Sequence, residues 1–294
     1  MSSQEPVAID RKAPPFDKYR GIRWLAPARS GQQARGHARH QLYVGIGKEN
    51  PVDVLIKVTA KPGLVYEQPL GNEIATLETI NRELPDSRYF PILYEHGYLA
   101  DGRLFLITSL FDEFPLATTV GEEREPGRLV AHLLVAIEVA RALAELQRIG
   151  IVHVDLNPMN VLYRAAHGRP VVRLIDFESS YDRARHVGGI AYDPPTTPGF
   201  TAPEVARQAP DGRADVFSLG AVLYALLAGD LWIAGADLGP RIAADDTLDD
   251  ALRTALLTAV ALEPAARYPS VVAFQAALEA YLEQIWPGRT ADSP

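Results

Sequence analysis

Short apolar runs punctuated by turn residues open the chain, and long helical repeats close it. Leu42-Tyr43-Val44-Gly45-Ile46 and Val52-Asp53-Val54-Leu55-Ile56-Lys57-Val58 flank the turn-forming run Gly47-Lys48-Glu49-Asn50-Pro51, which predicts a strand pair. From Gly71 to Glu83 the apolar positions Ile74, Leu77 and Ile80 recur at helical spacing. Two more strands are expected at Ile92–Leu99 and Arg103–Thr108, joined by a hairpin turn at Ala100-Asp101-Gly102. Arg128 to Ile149 is a long amphipathic pattern without Gly or Pro, and Gly150 stops it as a glycine at a helix C-terminus does. A buried strand follows at Val171–Ile175, then helices over 215–228, about 248–262 and about 270–285.

The pattern predicts an α+β protein of two lobes. Residues 1–18, polar and carrying Pro6, Pro14 and Pro15, read as a loose arm. A sheet-rich N-lobe with one helix takes about 19–109, a mostly helical C-lobe takes about 113–286, and 287–294 form a tail. A ligand cleft is expected between the lobes.

Composition narrows the function. At 47% hydrophobic, the 294 residues supply a substantial core. A net charge of −8 argues against nucleic acid as the main partner, because phosphate binding needs a basic face. Cys is absent, which excludes disulfides and thiolate metal sites. The start has no basic segment followed by an apolar one, so no signal peptide is expected. The longest apolar run, Phe217 to Ala228, is too short to span a bilayer. A cytoplasmic protein without a membrane partner is the expectation.

Chemistry concentrates in Ile151-Val152-His153-Val154-Asp155-Leu156-Asn157-Pro158-Met159-Asn160-Val161-Leu162. A carboxylate and a carboxamide stand five positions apart in a short loop, and Asp176 follows the next apolar strand. Asn160 and Asp176 offer hard oxygens to Mg²⁺, which needs few protein ligands when phosphates supply the rest. Asp155 is then free to orient a hydroxyl and accept its proton. Taken alone, Asp155 and Asn160 also suit turn capping.

They are not alone. His153 to Asn160 resembles the catalytic loop of eukaryotic-like protein kinases, and Asp176-Phe177-Glu178 their metal-binding triplet. Thr197-Pro198-Gly199-Phe200-Thr201-Ala202-Pro203-Glu204 resembles the substrate-docking loop. Asp215-Val216-Phe217-Ser218-Leu219-Gly220 resembles the start of the central helix. Glu263-Pro264-Ala265-Ala266-Arg267 resembles the late segment whose Arg pairs with the docking-loop glutamate, here Glu204. The resemblance covers roughly residues 20–285 and is to the bacterial, eukaryotic-like serine/threonine kinases.

It implies a bilobal kinase fold and further roles. Lys57 matches the lysine that holds the α and β phosphates of ATP. Glu73 is its expected partner, four positions before apolar Leu77, with Glu78 as runner-up. Thr108 would be the gatekeeper, Ser109 to Phe111 the hinge that binds adenine, and Leu55 and Leu162 would face the ring. His153, Phe177 and Leu77 would join an internal apolar spine. Asp215 would brace the catalytic-loop backbone, and Thr197 would hydrogen-bond Asp155. ATP with Mg²⁺, or Mn²⁺ in its place, is the implied cofactor set. A protein bearing Ser or Thr is the implied substrate, and a regulatory partner protein the expected source of input.

Several positions depart from the family. The glycine-rich loop is poor: Gly31 and Gly36 have the outer spacing with Gln33 between them, whereas counting back from Lys57 places Arg35, His37 and His40 there. Leu55 stands where the family has Ala. Val154 replaces the Arg that reads a phosphate on the activation segment, so phosphorylation at Ser179, Ser180 or Thr196 is not expected to be the main switch. Asn157 replaces a Lys that steadies the γ-phosphate, and Glu178 replaces a Gly. These departures set two alternatives beside a weak protein kinase: a pseudokinase that binds nucleotide or a partner, and a kinase of small molecules, against which the docking loop argues.

Overall fold

Alternating burial builds the first of two units, which takes Met1–Asn81 and Pro91–Asp112. The computed structural model describes residues 9–25, 39–120, 128–166, 168–187, 193–231 and 238–288. Five antiparallel strands, β1 (Tyr19–Trp24), β2 (His40–Gly47), β3 (Asp53–Thr59), β4 (Leu93–Tyr98) and β5 (Leu104–Ser109), lie in the order β1-β2-β3-β5-β4. Successive strand residues point to opposite faces. Val54, Ile56 and Val58 of β3 therefore enter one core with Tyr43, Phe105, Ile107 and Ile22, and Leu55 and Lys57 take the other face.

Residues 9–18 correct the expectation of a loose arm. Phe16 is buried in that same core, with its ring edge-on to Phe105 at 6.2 Å. Ile9 packs against the same core, so apolar anchors stand among polar and proline neighbours that dominate the composition. β1 also lacked a readable pattern, because Arg20, Gly21, Arg23 and Trp24 are exposed and only Ile22 is buried.

Helix α1 (Leu64–Glu83) begins about two turns before the expected Gly71. Glu67 reaches back to accept the Gly63 N–H at 2.6 Å, a side-chain bond that satisfies a backbone donor at the helix entry. Pro69 is accommodated early in the helix and buried. Leu70, Ile74, Leu77 and Ile80 form the buried stripe, and Glu73 lies on it.

The second unit takes Arg82–Phe90 and Glu113–Pro294. Its helices are α2 (Arg128–Arg148), α3 (Gly212–Ala228), α4 (Leu238–Ala243), α5 (Asp250–Ala259) and α6 (Val271–Ile285). Short strands β6 (Phe114–Pro115), β7 (Ile151–Val152), β8 (Val161–Ala166), β9 (Arg169–Leu174) and β10 (Tyr181–Asp182) form a β6-β8-β9 sheet and a β10-β7 pair. Two-residue strands are below any periodic signal, and α4 is a turn and a half, so the sequence does not mark them. Among the described residues no helix is long and apolar enough to cross a membrane.

Segment 82–90 belongs with the second unit, whereas the sequence pattern predicts an N-lobe continuous over about 19–109. The Leu174 N–H donates to Tyr89 O at 2.8 Å, Tyr89 and Arg88 both donate to buried Glu138 on α2, and Ser87 donates to Glu145. Helix α3 is apolar almost all round and accordingly buried. It starts at Gly212 rather than 215, because Asp211 is the cap and accepts the Arg213 N–H at 2.8 Å. Asp215 is thereby carried into the helix, fully buried.

Candidate active site

In the first unit, the sheet places Lys57 and α1 meets it. Lys57 Nζ donates to Glu73 Oε2 at 2.6 Å, with side chains only 12% and 6% exposed. Glu78, the other candidate, faces away and bonds His96 at 3.1 Å. The helical stripe decides between them: Glu73 shares the buried face with Leu70 and Leu77, and Glu78 does not. Strand register then orders the rest of this face. Val44, Leu55 and Thr108 form one cross-strand row, and Leu42, Lys57 and Leu106 the next. Val44 carries no motif and was missed; only the register with Leu55 finds it. Past Thr108, Ser109 exchanges bonds with Ile92, and the Leu110 N–H donates to Asp53 O at 3.1 Å. Phe111 follows, half-buried. Gly31, Gln33, Arg35, Gly36 and His37, the two readings of the phosphate loop, lie outside the described residues. His40 heads β2 opposite Thr59.

In the second unit, the catalytic-loop residues gather around one carboxylate. The loop leaves β7, and its backbone turns through Val154 at φ 72°, a left-handed conformation that β-branched residues avoid. Asp215 holds it there, accepting the His153 N–H at 3.1 Å and the Val154 N–H at 3.0 Å. Burial, opposed by these two bonds and one from Gln147, raises Asp215 from its ordinary 3.8 to about 7. His153 is fully buried, with Nε2 3.2 Å from Ile175 O and its ring 5.1 Å from Phe177. Phe177 in turn meets Phe90 at 6.1 Å.

Asp155 Oδ1 accepts the Thr197 N–H at 2.8 Å and the Thr201 hydroxyl at 3.1 Å. Thr197 is thus bound to Asp155 as expected, but through its backbone; its hydroxyl instead accepts from Asn157 Nδ2 at 3.0 Å. Asn157 Nδ2 also donates to Asp155 O at 3.0 Å, and its Oδ1 accepts the Met159 N–H at 2.9 Å. Asn157 therefore acts as a clamp inside the loop. Thr201 was missed by the sequence reading, because no motif distinguishes it from other residues ahead of Ala202-Pro203-Glu204. Burial raises Asp155 from 3.8 to about 7, with Asp176 adding to the rise and the two threonines opposing it.

Asn160 Nδ2 donates to Asp155 O at 2.9 Å, which turns its Oδ1 the other way. The Ile175 N–H donates to Asn160 O at 3.0 Å, and Asp176 follows at φ 66°. Asn160 and Asp176 each carry hard side-chain oxygens of the kind that Mg²⁺ or Mn²⁺ takes. Leu162 lies on β8, half-buried, paired with Pro115 and Arg173.

The docking segment is anchored at its far end. Arg267, fully buried, grips Glu204 with bonds of 2.7 and 2.8 Å. A lysine clamped to a helix glutamate in one unit, and in the other an aspartate tethered to a segment locked by an arginine, define a protein kinase domain. The family model for the protein kinase domain matches residues 94–251, more than half of the chain, and the chain belongs to that family. It is 32% identical over 201 residues to serine/threonine-protein kinase Pkn1 of Myxococcus xanthus, a match covering 62% of this chain and 28% of that protein. It is 34% identical over 184 residues to human calcium/calmodulin-dependent protein kinase type 1B, covering 60% of this chain and 49% of that protein. The matches thus span half or less of these curated relatives. Among solved structures, the Mycobacterium tuberculosis PknI kinase domain aligns with TM-score 0.59 at 23% identity, over 83% of this chain and 92% of that one. A double mutant of the same domain gives 0.63 at 21%, over 93% and 99%. These structural likenesses show the fold.

Proposed function

We propose that the protein is an ATP-dependent serine/threonine protein kinase of the type lacking an arginine before its catalytic aspartate. The observation that carries this reading is Asp155, a buried carboxylate tethered by Oδ1 to Thr197 and Thr201 of the docking segment. A segment that presents a polypeptide substrate is thereby tied to the group that receives its proton. Raised to about 7, Asp155 is matched to proton transfer near neutral pH.

Lys57, aimed by Glu73, holds the α and β phosphates. Asn160 and Asp176 hold a divalent cation, Mg²⁺ in the first instance, which when bound neutralises phosphate charge. Asp155 orients the substrate hydroxyl and takes its proton as the hydroxyl oxygen bonds to the γ-phosphorus and the bond from that phosphorus to the β,γ-bridging oxygen breaks, releasing ADP. Asn157 keeps the loop and Thr197 together. Both of its amide hydrogens are engaged, and an uncharged amide leaves the developing phosphate charge less stabilised than an ammonium does. That observation favours slow turnover and motivates a second reading, a nucleotide-binding pseudokinase.

One experiment separates the two. Purified protein is incubated with γ-labelled ATP, Mg²⁺ or Mn²⁺, and casein, beside Asp155→Ala and Asp176→Ala. The enzyme reading expects label on protein from wild type, none from either variant, and nucleotide binding kept by Asp155→Ala. Thermal stabilisation by ATP with no transfer from any form supports the pseudokinase, and equal transfer by wild type and Asp155→Ala refutes the assignment of the base.

A further inference from the structure

Two threonines four residues apart meet at one oxygen. Oδ1 of Asp155 accepts from the Thr197 N–H at 2.8 Å and from the Thr201 hydroxyl at 3.1 Å. The Thr201 oxygen also accepts the Thr197 N–H, at 3.0 Å, so the three groups close a ring. Thr201 is held in place by its own turn, since the Phe200 and Thr201 N–H groups both donate to Thr197 O at 3.0 Å. Three residues on, Glu204 is gripped by Arg267. Oδ2 is differently placed. Its contact is Asn157 Nδ2 at 3.4 Å, beyond the usual range of an N–H···O bond.

Resting on the kinase reading above, we propose that Thr201 is a positioning residue for phosphoryl transfer. Its hydroxyl completes the saturation of Oδ1 and so assigns Oδ2 as the oxygen that takes the substrate proton. The torsion that sets a carboxylate's plane is broad and two-fold, so a single donor leaves it loosely defined. Two donors converging on one oxygen from different directions fix it. In the transfer step the substrate hydroxyl oxygen forms a bond to the γ-phosphorus. The bond from that phosphorus to the β,γ-bridging oxygen breaks, its electron pair leaves with ADP, and the hydroxyl proton passes to Oδ2. Thr201 touches neither substrate nor phosphate; it acts through Asp155.

The test compares Thr201→Val, which keeps the shape and removes the donor, with Thr201→Ser, which keeps the donor, using the full chain, ATP and casein. Thr201→Val is expected to lower kcat roughly 10- to 100-fold, the scale of a misplaced reacting group, with KM for ATP and the unfolding midpoint unchanged. Thr201→Ser is expected to recover to within about threefold of wild type, because its donor restores the charge-assisted bond. An unchanged kcat in Thr201→Val, or a Ser variant as impaired as the Val variant, overturns the proposal. If wild type transfers no phosphate, the kinase reading fails by itself, and amide hydrogen exchange decides the tether. Thr201→Val should then speed exchange of the Thr197 amide about fivefold, the loss of one acceptor, while Thr201→Ser should not. Equal exchange in all three forms overturns the tether as well.

Discussion

Removing Arg267 tests the packing of the second unit most sharply. The guanidinium has five N–H groups, and the structure uses all five: Nε to Ala261 O, Nη1 to Glu204 Oε1 and Arg213 O, and Nη2 to Glu204 Oε2 and Leu262 O, at 2.7–3.1 Å. Its Cζ lies 4.9 Å from the Phe217 ring centroid. The side chain is 0% exposed and that of Glu204 10%, so water cannot replace what is lost. Arg267→Leu strands a buried carboxylate and three carbonyls. Breaking a buried pair from one side costs about 3–5 kcal/mol. For a unit of this size that is a fall in Tm of roughly 6–20 °C. Arg267→Lys offers three donors without the planar fork and should recover only part of the loss. Adding Glu204→Leu to Arg267→Leu should restore about 2 kcal/mol, because the stranded charge is removed. Urea unfolding of the four proteins measures each quantity, and higher salt should leave the loss unchanged because the pair is buried. If Arg267→Leu unfolds within about 1 kcal/mol of wild type, or Glu204→Leu adds its full cost on top, the pair is not the anchor described.

Three further outcomes are expected. Lys57→Met removes the ion-pair partner of Glu73, which is 6% exposed, and should abolish transfer while destabilising the first unit by about 3 kcal/mol; unaltered denaturant unfolding would show that the pair is not coupled. Gly220→Ala places a Cβ 2.9 Å from Ala259 Cβ and 3.0 Å from Val260 Cγ1, where α3 meets α5, and should cost about 1–3 kcal/mol by the same measurement; a neutral result would mean that the helices separate freely. Asp215 is raised from 3.8 to about 7, so between those values the folded state binds the proton that the unfolded state releases, and wild-type stability relative to Asp215→Asn should fall as pH rises from about 4 to 7 and level off above. A stability difference that stays flat or widens over that window would show that the two N–H bonds outweigh burial.

Much of the chemistry was legible because it sits in contiguous loops whose residue order the fold must keep. Arg267 meets Glu204 as the motifs imply, and Lys57 meets Glu73, which was preferred to Glu78 because the resemblance implies an apolar residue, here Leu77, four positions after that glutamate. What stayed hidden depends on register and on side chains that meet across the chain. Val44 is found only through its row with Leu55, and Thr201 only because a turn swings it to Asp155. Phe16 was hidden by polar neighbours. Val154 shows the division best. The sequence tells that the arginine is missing there, and the structure tells what the position still requires. It must hold a left-handed backbone, and in a β-branched residue such strain is of order 1–3 kcal/mol. The two bonds to Asp215 hold that conformation, and the valine side chain, fully buried, adds packing where an arginine would carry charge. The loop is therefore braced from within the second unit by the side chain of Asp215. Of the hydroxyls of Ser179, Ser180 and Thr196, those of Ser179 and Ser180 are buried and bonded to Pro195 O and Phe177 O, whereas Thr196 is exposed.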